Sequence, residues 1–396
     1  MIFLIVTHVR HKRYNGKIYG YGPYIREMNL WFRHIEGEVI VVAPIEESEP
    51  DAIDLPYEAQ SLTFESLPAF NLTDWPNRFK TLALLPLIGY KIVKCMSRSD
   101  HIHLRCPGNM GLLGSILQIA FPSKKKSAKY AGNWDPDSSQ PWSYRLQKKI
   151  LSNPYLTRNM KALVYGEWPN QSRNVVPFFT ATYSKEEVSG FKFSVFSEKD
   201  ENEKPKTKNQ QRKTNNEKPT TIYLLYVGTL SPNKRPVLAI ETARILHEKG
   251  HAVHLDFYGE GSERKRLYDT IRKYKLEEIV TLHGNRPSEV IKKAYQKAHF
   301  LLFASRSEGW PKVVAEAMWW GCLPITTAVS CVPQMVGRGS RGTLVEPDAQ
   351  AMADAVEAYL ADAAMWQKEV DSAMAWSQQF TLERFEEEIG EILHDK

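Results

Sequence analysis

The amino-acid sequence predicts an α/β fold with two Rossmann-like, doubly wound domains that face each other across a cleft. In both halves of the 396 residues, short apolar runs alternate with stretches of helical periodicity. Such alternation is typical of parallel sheets covered by helices. Because ligands of these folds bind outside the carboxyl ends of the strands, we expect the two domains to share one binding cleft.

Apolar segments of strand length recur along both halves of the chain. In the first half, the predicted strands are residues 1–6, 38–43, 101–104, 161–165 and 174–176. In the second half, they are residues 221–227, 252–258, 279–282, 299–303 and 323–326. We therefore place one domain at 1–178 and another at 221–375.

The segment between the domains, residues 179–220, is predicted to be a mobile polar linker. From Ser197 to Thr221 it contains no large apolar side chain. A segment of this composition cannot bury enough apolar surface to offset the entropy of ordering it.

Composition and cysteine usage predict a cytoplasmic globular protein. Hydrophobic residues make up 42% of the chain and aromatic residues 11%, and the length suffices for two full cores. No run of about 18 apolar residues predicts a membrane-spanning helix. The apolar start of the chain is better explained as a first strand than as a signal peptide. The 4 cysteines match neither a metal-ligand spacing nor a disulfide framework.

Basic charge is concentrated in the first half, although the net charge is only +6. The basic residues are 124–126, Lys129, Lys148 and Lys149, with aromatic residues among them. Such a mixture suits an anionic membrane surface or a lipid-phosphate acceptor. The alternative is a solvated basic face.

The most informative segment is a predicted strand-to-helix junction that contains Glu308 and Glu316. A polar turn follows the apolar run 298–304, and Pro311 suits the first turn of a helix. We expect this helix at about 312–320, ended by a glycine. The N–H groups and the dipole at its start favour a diphosphate.

Glu308 lies in the predicted loop, whereas Glu316 lies in the helix among apolar neighbours. A carboxylate in such surroundings needs hydrogen-bond donors, and sugar hydroxyls are suitable ones. The pair therefore indicates a site for a phosphorylated sugar. The alternative is a loop decoration and a solvated helix position without a shared role.

Two segments carry a resemblance to a known family. Residues 305–311 read Ser-Arg-Ser-Glu-Gly-Trp-Pro, and residues 316–321 read Glu-Ala-Met-Trp-Trp-Gly. They resemble the Glu-x7-Glu signature of the family 4 retaining glycosyltransferases, or glycosyl transferases group 1, which have the GT-B architecture. Further similar segments are the glycine turns at 226–234 and 257–261 and the base-binding strand end at 282–285. The resemblance is strong over 222–350.

The resemblance implies roles for individual residues. Glu308 would hold a donor-sugar hydroxyl, Lys234 would bind the diphosphate, and Arg105 stands nearest to a catalytic histidine of the family; these are the three expected catalytic residues. Glu316 would bind the ribose hydroxyls. The other implied donor-binding residues are Gly228, Thr229, Arg235, Gly284, Asn285, Arg286, Arg306, Gly309, Trp310, Pro311 and Lys312. The implied acceptor-side residues are Gly20, Gly22, His103, Asn133 and Trp134.

The chain departs from the family pattern at two positions. Thr229 stands where the family usually has an arginine, whose role could pass to Arg235, Arg306 or Arg105. Arg105 stands nearest to the position where many family members have a histidine, and His103 is as readily explained as a packing residue. The segment 376–396 resembles the family's closing segment, a crossover helix that returns to the first domain.

Two sequence motifs bear on metal and cofactor binding. Asp135-Pro136-Asp137 has the Asp-x-Asp form with which another glycosyltransferase architecture holds a divalent metal. Lys, Arg and a helix end would neutralise the leaving diphosphate instead, so we expect no metal. The glycines at 16, 20 and 22 do not match a dinucleotide fingerprint, and a nucleotide diphosphate sugar is the only co-substrate expected.

The sequence thus predicts a metal-independent retaining glycosyltransferase. It would move a hexose-type sugar to a glycan or lipid-linked glycan acceptor, in bacterial surface polysaccharide synthesis. The alternatives are a nucleotide-sugar epimerase, a sugar phosphorylase of the same architecture, or a non-catalytic glycan-binding protein. Nucleic-acid binding is not expected.

Overall fold

A computed structural model describes residues 1–68, 78–187 and 221–394, with side chains from residue 84 onward in the second range. The chain forms two compact units. The first unit is Met1–Thr180 with Glu383–Lys396, and the second unit is Ala181–Leu382. Both units are α/β, which confirms the predicted fold class.

The first unit contains a mainly parallel sheet. Its strands are β1 (Phe3–Val6), β2 (His11–Tyr14), β3 (Lys17–Tyr21), β4 (Val39–Glu47), β5 (Asp54–Pro56), β6 (Leu62–Leu67), β7 (His101–Cys106), β8 (Lys125–Tyr130), β9 (Met160–Tyr165) and β10 (Val175–Phe178). The order is β10-β9-β8-β7-β1-β4-β2-β3-β5, with β6 also paired to β4. The helices are α1 (Gly22–Phe32), α2 (Arg78–Arg98), α3 (Asn109–Leu117), α4 (Trp142–Leu151) and, from the C-terminus, α12 (Leu382–His394).

The second unit contains a parallel sheet of Rossmann type. Its strands are β11 (Ile222–Val227), β12 (Val253–Tyr258), β13 (Val280–Leu282), β14 (Phe300–Phe303), β15 (Leu323–Thr326) and β16 (Thr343–Leu344). Their order is β13-β12-β11-β14-β15-β16, so the order reverses between β11 and β14. The helices are α5 (Val237–Glu248), α6 (Arg264–Tyr274), α7 (Ser288–Lys297), α8 (Lys312–Trp319), α9 (Val332–Met335), α10 (Ala349–Ala361) and α11 (Ala363–Ser377). Ligands of such sheets bind at the carboxyl edge where the order reverses.

The glycines at 16, 20 and 22 lie in a hairpin and at the start of α1. Residues 11–21 form the antiparallel hairpin β2–β3, and only Gly16 lies in its turn. Gly20 is a buried strand residue packed near Ile25 and His11. Gly22 begins α1, where a Cβ atom would lie 2.2 Å from the carbonyl oxygen of Ile53. Both glycines therefore allow close packing within the first unit.

The basic run at 124–129 is divided between surface and interior: Lys124 is half-buried and Lys125 is exposed, whereas Lys126 and Lys129 are buried. It forms most of β8, in which Lys126 is 2% exposed and Lys129 is fully buried. Lys126 Nζ donates to the carbonyl oxygen of Phe121 at 3.0 Å, and Lys129 Nζ donates to that of Phe179 at 3.2 Å. Long aliphatic stems let these lysines pack in a sheet while their ammonium groups find acceptors.

The boundaries of the units differ from those proposed from the sequence. Residues 181–187 belong to the second unit, and Tyr183 is buried there against Trp319 and Trp320. Residues 188–220, most of the predicted linker, lie outside the described residues. Helix α11 continues to Ser377 within the second unit, and the return to the first unit begins with α12. Among the residues described, no helix has both the length and the apolar character needed to cross a membrane.

Candidate active site

The carboxyl edge of the second sheet is lined by backbone from three glycine turns. Gly228 has a φ of 145° and its N–H donates to the carbonyl oxygen of Tyr258 at 2.9 Å. Gly259 lies so close that a Cβ atom there would meet the Gly228 oxygen at 1.9 Å. The N–H of Gly259 in turn donates to the oxygen of Gly284 at 2.9 Å. The strand ends are therefore tied together with few side chains between them, which leaves room for a ligand.

Lys234 and Glu308, both predicted as catalytic, contact each other at this edge. Lys234 Nζ lies 2.5 Å from Glu308 Oε1, and the two side chains are 22% and 10% exposed. Ser305 Oγ donates to the same carboxylate oxygen at 2.5 Å. The ammonium also lies 5.0 Å from the centroid of the Phe303 ring. An ammonium group has three donors, so Lys234 can hold Glu308 and still donate to a ligand oxygen.

The loops after β11 and β14 are joined by backbone hydrogen bonds. The N–H of Arg306 donates to the oxygen of Asn233 at 2.8 Å, and Asn233 Nδ2 donates to the oxygen of Ser307 at 3.0 Å. Arg235 Nη1 donates to the oxygen of Ala304 at 3.4 Å. Burial, followed by the charge of Arg306, lowers the pKa of Arg235. The charges of Arg235 and Arg306 thus act on each other near these loops, whereas the side chain of Thr229 is exposed.

Glu316 projects from α8, and both of its carboxylate oxygens have donors. Thr182 Oγ1 donates to Oε1 at 2.8 Å, and the hydroxyl of Tyr295 donates to Oε2 at 3.2 Å. Tyr295 is fully buried, and burial followed by the charge of Glu316 raises its pKa well above the ordinary value. Tyr295 is therefore a donor throughout the physiological pH range. Neither partner could be identified from local sequence pattern, because they lie 134 and 21 positions from Glu316.

The start of α8 is shaped by backbone contacts. Ser330 Oγ and Cys331 Sγ both donate to the carbonyl oxygen of Gly309, at 3.1 and 3.3 Å. Pro311 precedes the helix, which begins at Lys312. This fixed turn places the positive end of the helix dipole at the carboxyl edge of the sheet.

The ring of Trp310, which was expected to contact the nucleotide sugar, packs against other aromatic side chains. The indole stacks on Trp376 with a centroid distance of 6.2 Å and lies edge-on to Phe380 at 5.5 Å. The side chain therefore anchors the loop to α11. Of the expected donor contact, only the backbone of Trp310 remains.

A histidine and aspartate cluster lies where the base pocket was expected. His283 Nε2 and Asp256 Oδ1 are 2.6 Å apart, and His254 Nε2 lies 3.2 Å from the same oxygen. Burial opposes the charge on Asp256, but these hydrogen bonds lower its pKa. The His283 ring stacks on Tyr258 at 4.5 Å with an angle of 8°. The exposed side chains of Asn285 and Arg286 follow this cluster.

In the first unit, Arg105 is part of a buried ionic network. Arg105 Nη1 and Lys129 Nζ each lie 3.1 Å from Glu27 Oε1, and Glu27 is 7% exposed. Burial opposes the charge on Arg105, but Glu27 raises its pKa. Lys129 also contacts the rings of Phe178 and Phe385 at 5.0 and 4.8 Å. Sequence reasoning missed Glu27, and it placed Arg105 at a reacting centre rather than in this network.

Another residue missed by the sequence reasoning, His8, follows β1 at the carboxyl edge of the first sheet. A Cβ atom on Gly108 would lie 2.9 Å from His8 Nδ1, so the glycine is needed for this approach. Desolvation by the surrounding protein, followed by the charge of Arg105, lowers the pKa of His8. A histidine that is neutral near pH 7 can donate or accept a proton. Its position two residues after an apolar strand was the available signal.

Three of the predicted acceptor-side residues are buried in the first unit. His103 is fully buried in β7, with Nδ1 2.8 Å from Ser127 Oγ, and burial lowers its pKa to about 3. The expectation that His103 contacts the acceptor is therefore wrong. Asn133 is 8% exposed, and its Oδ1 accepts from the N–H of Asp135 at 2.9 Å. Trp134 is 2% exposed but lines an open cavity beside α4.

The Asp-Pro-Asp segment forms a local turn. Asp135 Oδ1 accepts a hydrogen bond from the N–H of Asp137 at 2.9 Å. Within the described ranges, no three or more His, Cys, Asp or Glu side chains are grouped so as to hold a metal. All four cysteines are buried and unpaired.

Comparison with known proteins bears on both sequence family and fold. Residues 207–377 match the family described as Glycosyl transferases group 1. Among curated proteins, a similar one is the provisionally named colanic acid biosynthesis glycosyltransferase WcaL of Escherichia coli (strain K12). It is 33% identical over 35% of this chain and 36% of its own length. The amylovoran biosynthesis glycosyltransferase AmsK of Erwinia amylovora is 32% identical over 33% of this chain and 34% of its own length. The alignments thus span about a third of these relatives.

Solved structures with the same fold cover the whole chain. The structure of Anabaena Alr3699/HepE in complex with UDP and glucose has a TM-score of 0.66 at 13% identity and covers 100% of both chains. WaaG, a glycosyltransferase involved in lipopolysaccharide biosynthesis, has a TM-score of 0.63 at 13% identity and covers 100% of both chains. The likeness at this identity establishes the GT-B type of fold. The match to the glycosyl transferases group 1 family spans residues 207–377, which include Glu308 and Glu316.

Proposed function

We propose that this protein is a metal-independent, retaining glycosyltransferase. It moves a sugar from a nucleotide diphosphate sugar to a glycan or lipid-linked glycan acceptor in polysaccharide synthesis. One observation carries the proposal: at the carboxyl edge of the second sheet, Lys234 contacts Glu308 at 2.5 Å while α8 presents Glu316. A cation, a sugar-binding carboxylate and a ribose-binding carboxylate are thus assembled in one unit.

The charges at this edge suit the departure of a diphosphate. Lys234 and the start of α8 stabilise the negative charge that develops on the leaving phosphate, and Arg235 and Arg306 add to the positive field. Glu308 binds a hydroxyl of the donor sugar, so its contact tightens as the anomeric bond breaks. The acceptor hydroxyl attacks from the same face, its proton passes to the departing phosphate oxygen, and no protein nucleophile is required.

Glu316 binds the ribose hydroxyls of the donor. Thr182 and Tyr295 each occupy one lone pair of its carboxylate oxygens. A carboxylate has about four lone-pair sites, so two remain for a ribose diol. The fixed carboxylate is pre-organised for this contact, which lowers the entropy lost on binding.

The names of similar proteins support a role in polysaccharide synthesis. WcaL and AmsK are named for colanic acid and amylovoran biosynthesis, and WaaG is described as acting in lipopolysaccharide biosynthesis. We extend this class of pathway to the present chain, with a glycan or lipid-linked glycan as the acceptor.

The first experiment is a thermal-shift screen of the purified protein against UDP-, GDP- and other nucleotide sugars. A ligand at 100 times its Kd stabilises a protein by about 2.7 kcal/mol, so the correct donor gives a clear upward shift. The product anomer is then determined by NMR. Retention of configuration supports the mechanism, whereas inversion contradicts it.

Two further outcomes separate the rival functions. Isomerisation of the donor without an acceptor indicates an epimerase, reversible cleavage by inorganic phosphate indicates a phosphorylase, and donor binding without turnover indicates a glycan-binding protein. Activity in EDTA supports metal independence. Loss in EDTA with rescue by Mn²⁺ contradicts it and directs attention to Asp135 and Asp137.

We also propose that the protein acts in the cytoplasm and contacts an anionic membrane peripherally. The supporting surface is an exposed apolar group on the first unit, formed by Ile116, Ile119 and Tyr155, with Tyr155 81% exposed. Gln118 Nε2 donates to the oxygen of Leu156 at 3.1 Å, which joins the two segments. Lys125 and Arg158, which follow these apolar residues in the sequence, are exposed.

The test of membrane contact is co-sedimentation with anionic vesicles at increasing ionic strength. Lys125→Glu with Arg158→Glu should weaken binding, by about 1 kcal/mol for each cation lost, and should leave donor binding unchanged. The buried Lys126 is not a suitable site for charge reversal, because it is needed for folding. Equal sedimentation with neutral and anionic vesicles contradicts the proposal.

A further inference from the structure

A cavity of about 380 Å³ on the first unit is lined by cations that have no acidic partner. It lies beside α4, and Arg145, Lys148 and Lys149 of this helix contribute to its wall. None of these three side chains forms an ion pair with a residue that the structure describes. No carboxylate side chain lines the cavity. Three positive charges around one space attract an anionic ligand.

The acidic residues closest in sequence to the cavity form no ion pair with its cations. The Asp135 carboxylate accepts from the N–H of Asp137 at 2.9 Å. Lys148 Nζ instead donates to the main-chain oxygen of Asp135 at 2.8 Å. Burial lowers the pKa of Lys148, while the charges of Asp135 and Asp137 act in the opposite direction. The positive field of the cavity is therefore still available to a ligand.

The remaining wall has the character of a carbohydrate site. Trp134, 2% exposed, is held by a hydrogen bond from Nε1 to Gln171 Oε1 at 3.0 Å, and Lys148 Nζ lies 5.6 Å from the centroid of its ring. Gln140, Asn170 and Ser172 add amide and hydroxyl groups. Because Trp134 is almost fully buried, it contributes only an edge to the wall, and the convergent amide and hydroxyl groups are what can orient sugar hydroxyls. Cations alone would suit any anion, but this combination favours a sugar that carries the charge.

The cavity also extends from the carboxyl edge of the first sheet. Tyr130 ends β8, and Trp134 lies edge-on to it at a centroid distance of 4.9 Å. A Cβ atom on Gly132 would meet Pro107 at 2.9 Å, so the segment between these aromatics passes closely over the end of β7. A glycan that reaches this edge can therefore continue into the cavity.

We propose that this cavity binds an acidic sugar residue of the acceptor, one that carries a carboxylate or a phosphate. The inference rests on the proposed function, since it specifies the acceptor as an anionic glycan. Arg145 and Lys149 supply the charge contacts, and the amide and hydroxyl groups of the wall hold the sugar hydroxyls. The cavity thereby selects acceptors away from the reacting groups.

The test is a binding titration in the absence of nucleotide, by calorimetry at low salt. The probes are a glucuronic acid-containing disaccharide, the matching neutral glucose disaccharide, glucose 6-phosphate, and inorganic phosphate. The acidic sugars should bind at least about tenfold tighter than the neutral one, since charge-assisted hydrogen bonds are about twice as strong as neutral ones. The carboxylate and phosphate probes distinguish the two sources of charge.

Matched variants locate the binding. Arg145→Gln with Lys149→Gln, both exposed on α4, should remove the preference for acidic sugars, whereas the control Arg158→Gln should keep it. Thermal unfolding of each variant confirms folding, and the single variants replace the double variant if it is unstable. Binding of the nucleotide sugar found in the thermal-shift screen should be unchanged in every variant. A wild-type protein that binds acidic sugars but none of the screened nucleotide sugars contradicts the proposed function alone.

Three outcomes overturn the proposal. Equal affinity for acidic and neutral disaccharides removes the charge preference, and an unchanged preference in the double variant moves the site elsewhere. Inorganic phosphate binding as tightly as both acidic sugars reveals a simple anion site. A fourth arm uses vesicles of phosphatidylcholine with phosphatidylglycerol: their binding by wild type but not by the double variant, without binding of acidic sugars, assigns the cations to a membrane and also overturns it.

Discussion

Each unit contains an ion pair between a lysine and a glutamate, but the two pairs differ in their surroundings. In the first unit, Lys129 and Glu27 are 1% and 7% exposed, and Arg105 completes the group. In the second unit, Lys234 and Glu308 are 22% and 10% exposed. The first pair is enclosed by aromatic rings, whereas the second lies at a sheet edge that is otherwise lined by glycine backbone. The first arrangement serves stability, and the second can exchange its internal contact for a ligand.

The largest expected effect comes from removing the carboxylate of the first unit. Glu27→Ala removes the carboxylate that pairs with two buried cations, and breaking a buried pair costs about 3–5 kcal/mol. Urea denaturation should show this loss, and hydrogen exchange should place it in the first unit. Donor binding by the second unit should change little.

A second substitution sharpens this test. Adding Lys129→Met removes one of the two cations that paired with Glu27 but keeps an aliphatic side chain. The double variant should therefore regain part of the lost stability. Full stability of Glu27→Ala by itself would show that water reaches these cations, and the network would then not be a buried one.

In the second unit, the same kind of change should affect ligand binding rather than folding. Glu316→Ala should weaken donor binding, and Glu308→Ala should mainly lower kcat, since the sugar contact strengthens in the transition state. Each loss of a charged hydrogen bond costs about 1.5–3 kcal/mol, or roughly 10- to 150-fold. Calorimetry and initial rates separate the two effects, with the exposed Glu289→Ala as the control. If both variants keep wild-type affinity and rate, the site lies elsewhere.

The two units should also differ in their response to acid. Burial lowers the pKa of His101 and His103 to about 3 and that of His11 to about 4 in the first unit. In the second unit, burial lowers the pKa of His299 to about 4. These histidines stay neutral in the folded protein, while the unfolded chain takes up protons below about pH 6.5. Above this pH, these histidines therefore do not reduce the free energy of unfolding. Below it, each histidine lowers the free energy of unfolding by about 1.4 kcal/mol per pH unit.

Hydrogen exchange between pH 7 and pH 5, corrected for intrinsic rates, should show the first unit losing protection faster. In His103→Phe, the pH dependence of protection in the first unit should decrease by the contribution of one histidine. This should hold even though the variant loses the contact with Ser127. Equal acid sensitivity of both units would mean that the histidines of the first unit are accessible to water when folded.

The comparison also explains what the sequence could predict. Glu308 and Glu316 lie eight positions apart on one turn and one helix, so local pattern was enough to identify them. Glu27 looked like an ordinary helix residue, because its partners Arg105 and Lys129 are 78 and 102 positions away. Contacts at such separations are set by the packing of sheets and helices, which hydrophobic periodicity does not encode.

The lysine-rich strand β8 was misinterpreted for a related physical reason. Hydropathy counts each lysine as a solvated charge, but a lysine stem can cross apolar surface and deliver its ammonium to a carbonyl oxygen. Lys126 and Lys129 do so. The distinction depends on where acceptors such as Phe121 and Phe179 lie, and only the folded chain shows this.

The smallest expected effect concerns the hydroxyl that links the segment 181–187 to α8. Thr182→Val keeps the side-chain shape but removes the donor to Glu316 Oε1, a contact of 2.8 Å. A net hydrogen bond contributes about 0.5–1.5 kcal/mol, so donor affinity should fall by roughly two- to twelvefold. Tyr295→Phe is the matched control, because it removes the 3.2 Å contact to the other oxygen of the same carboxylate. Tighter donor binding by Thr182→Val would instead identify Thr182 as a competitor for the ribose site, and Glu316 would then be released, rather than positioned, by the loss of this hydroxyl.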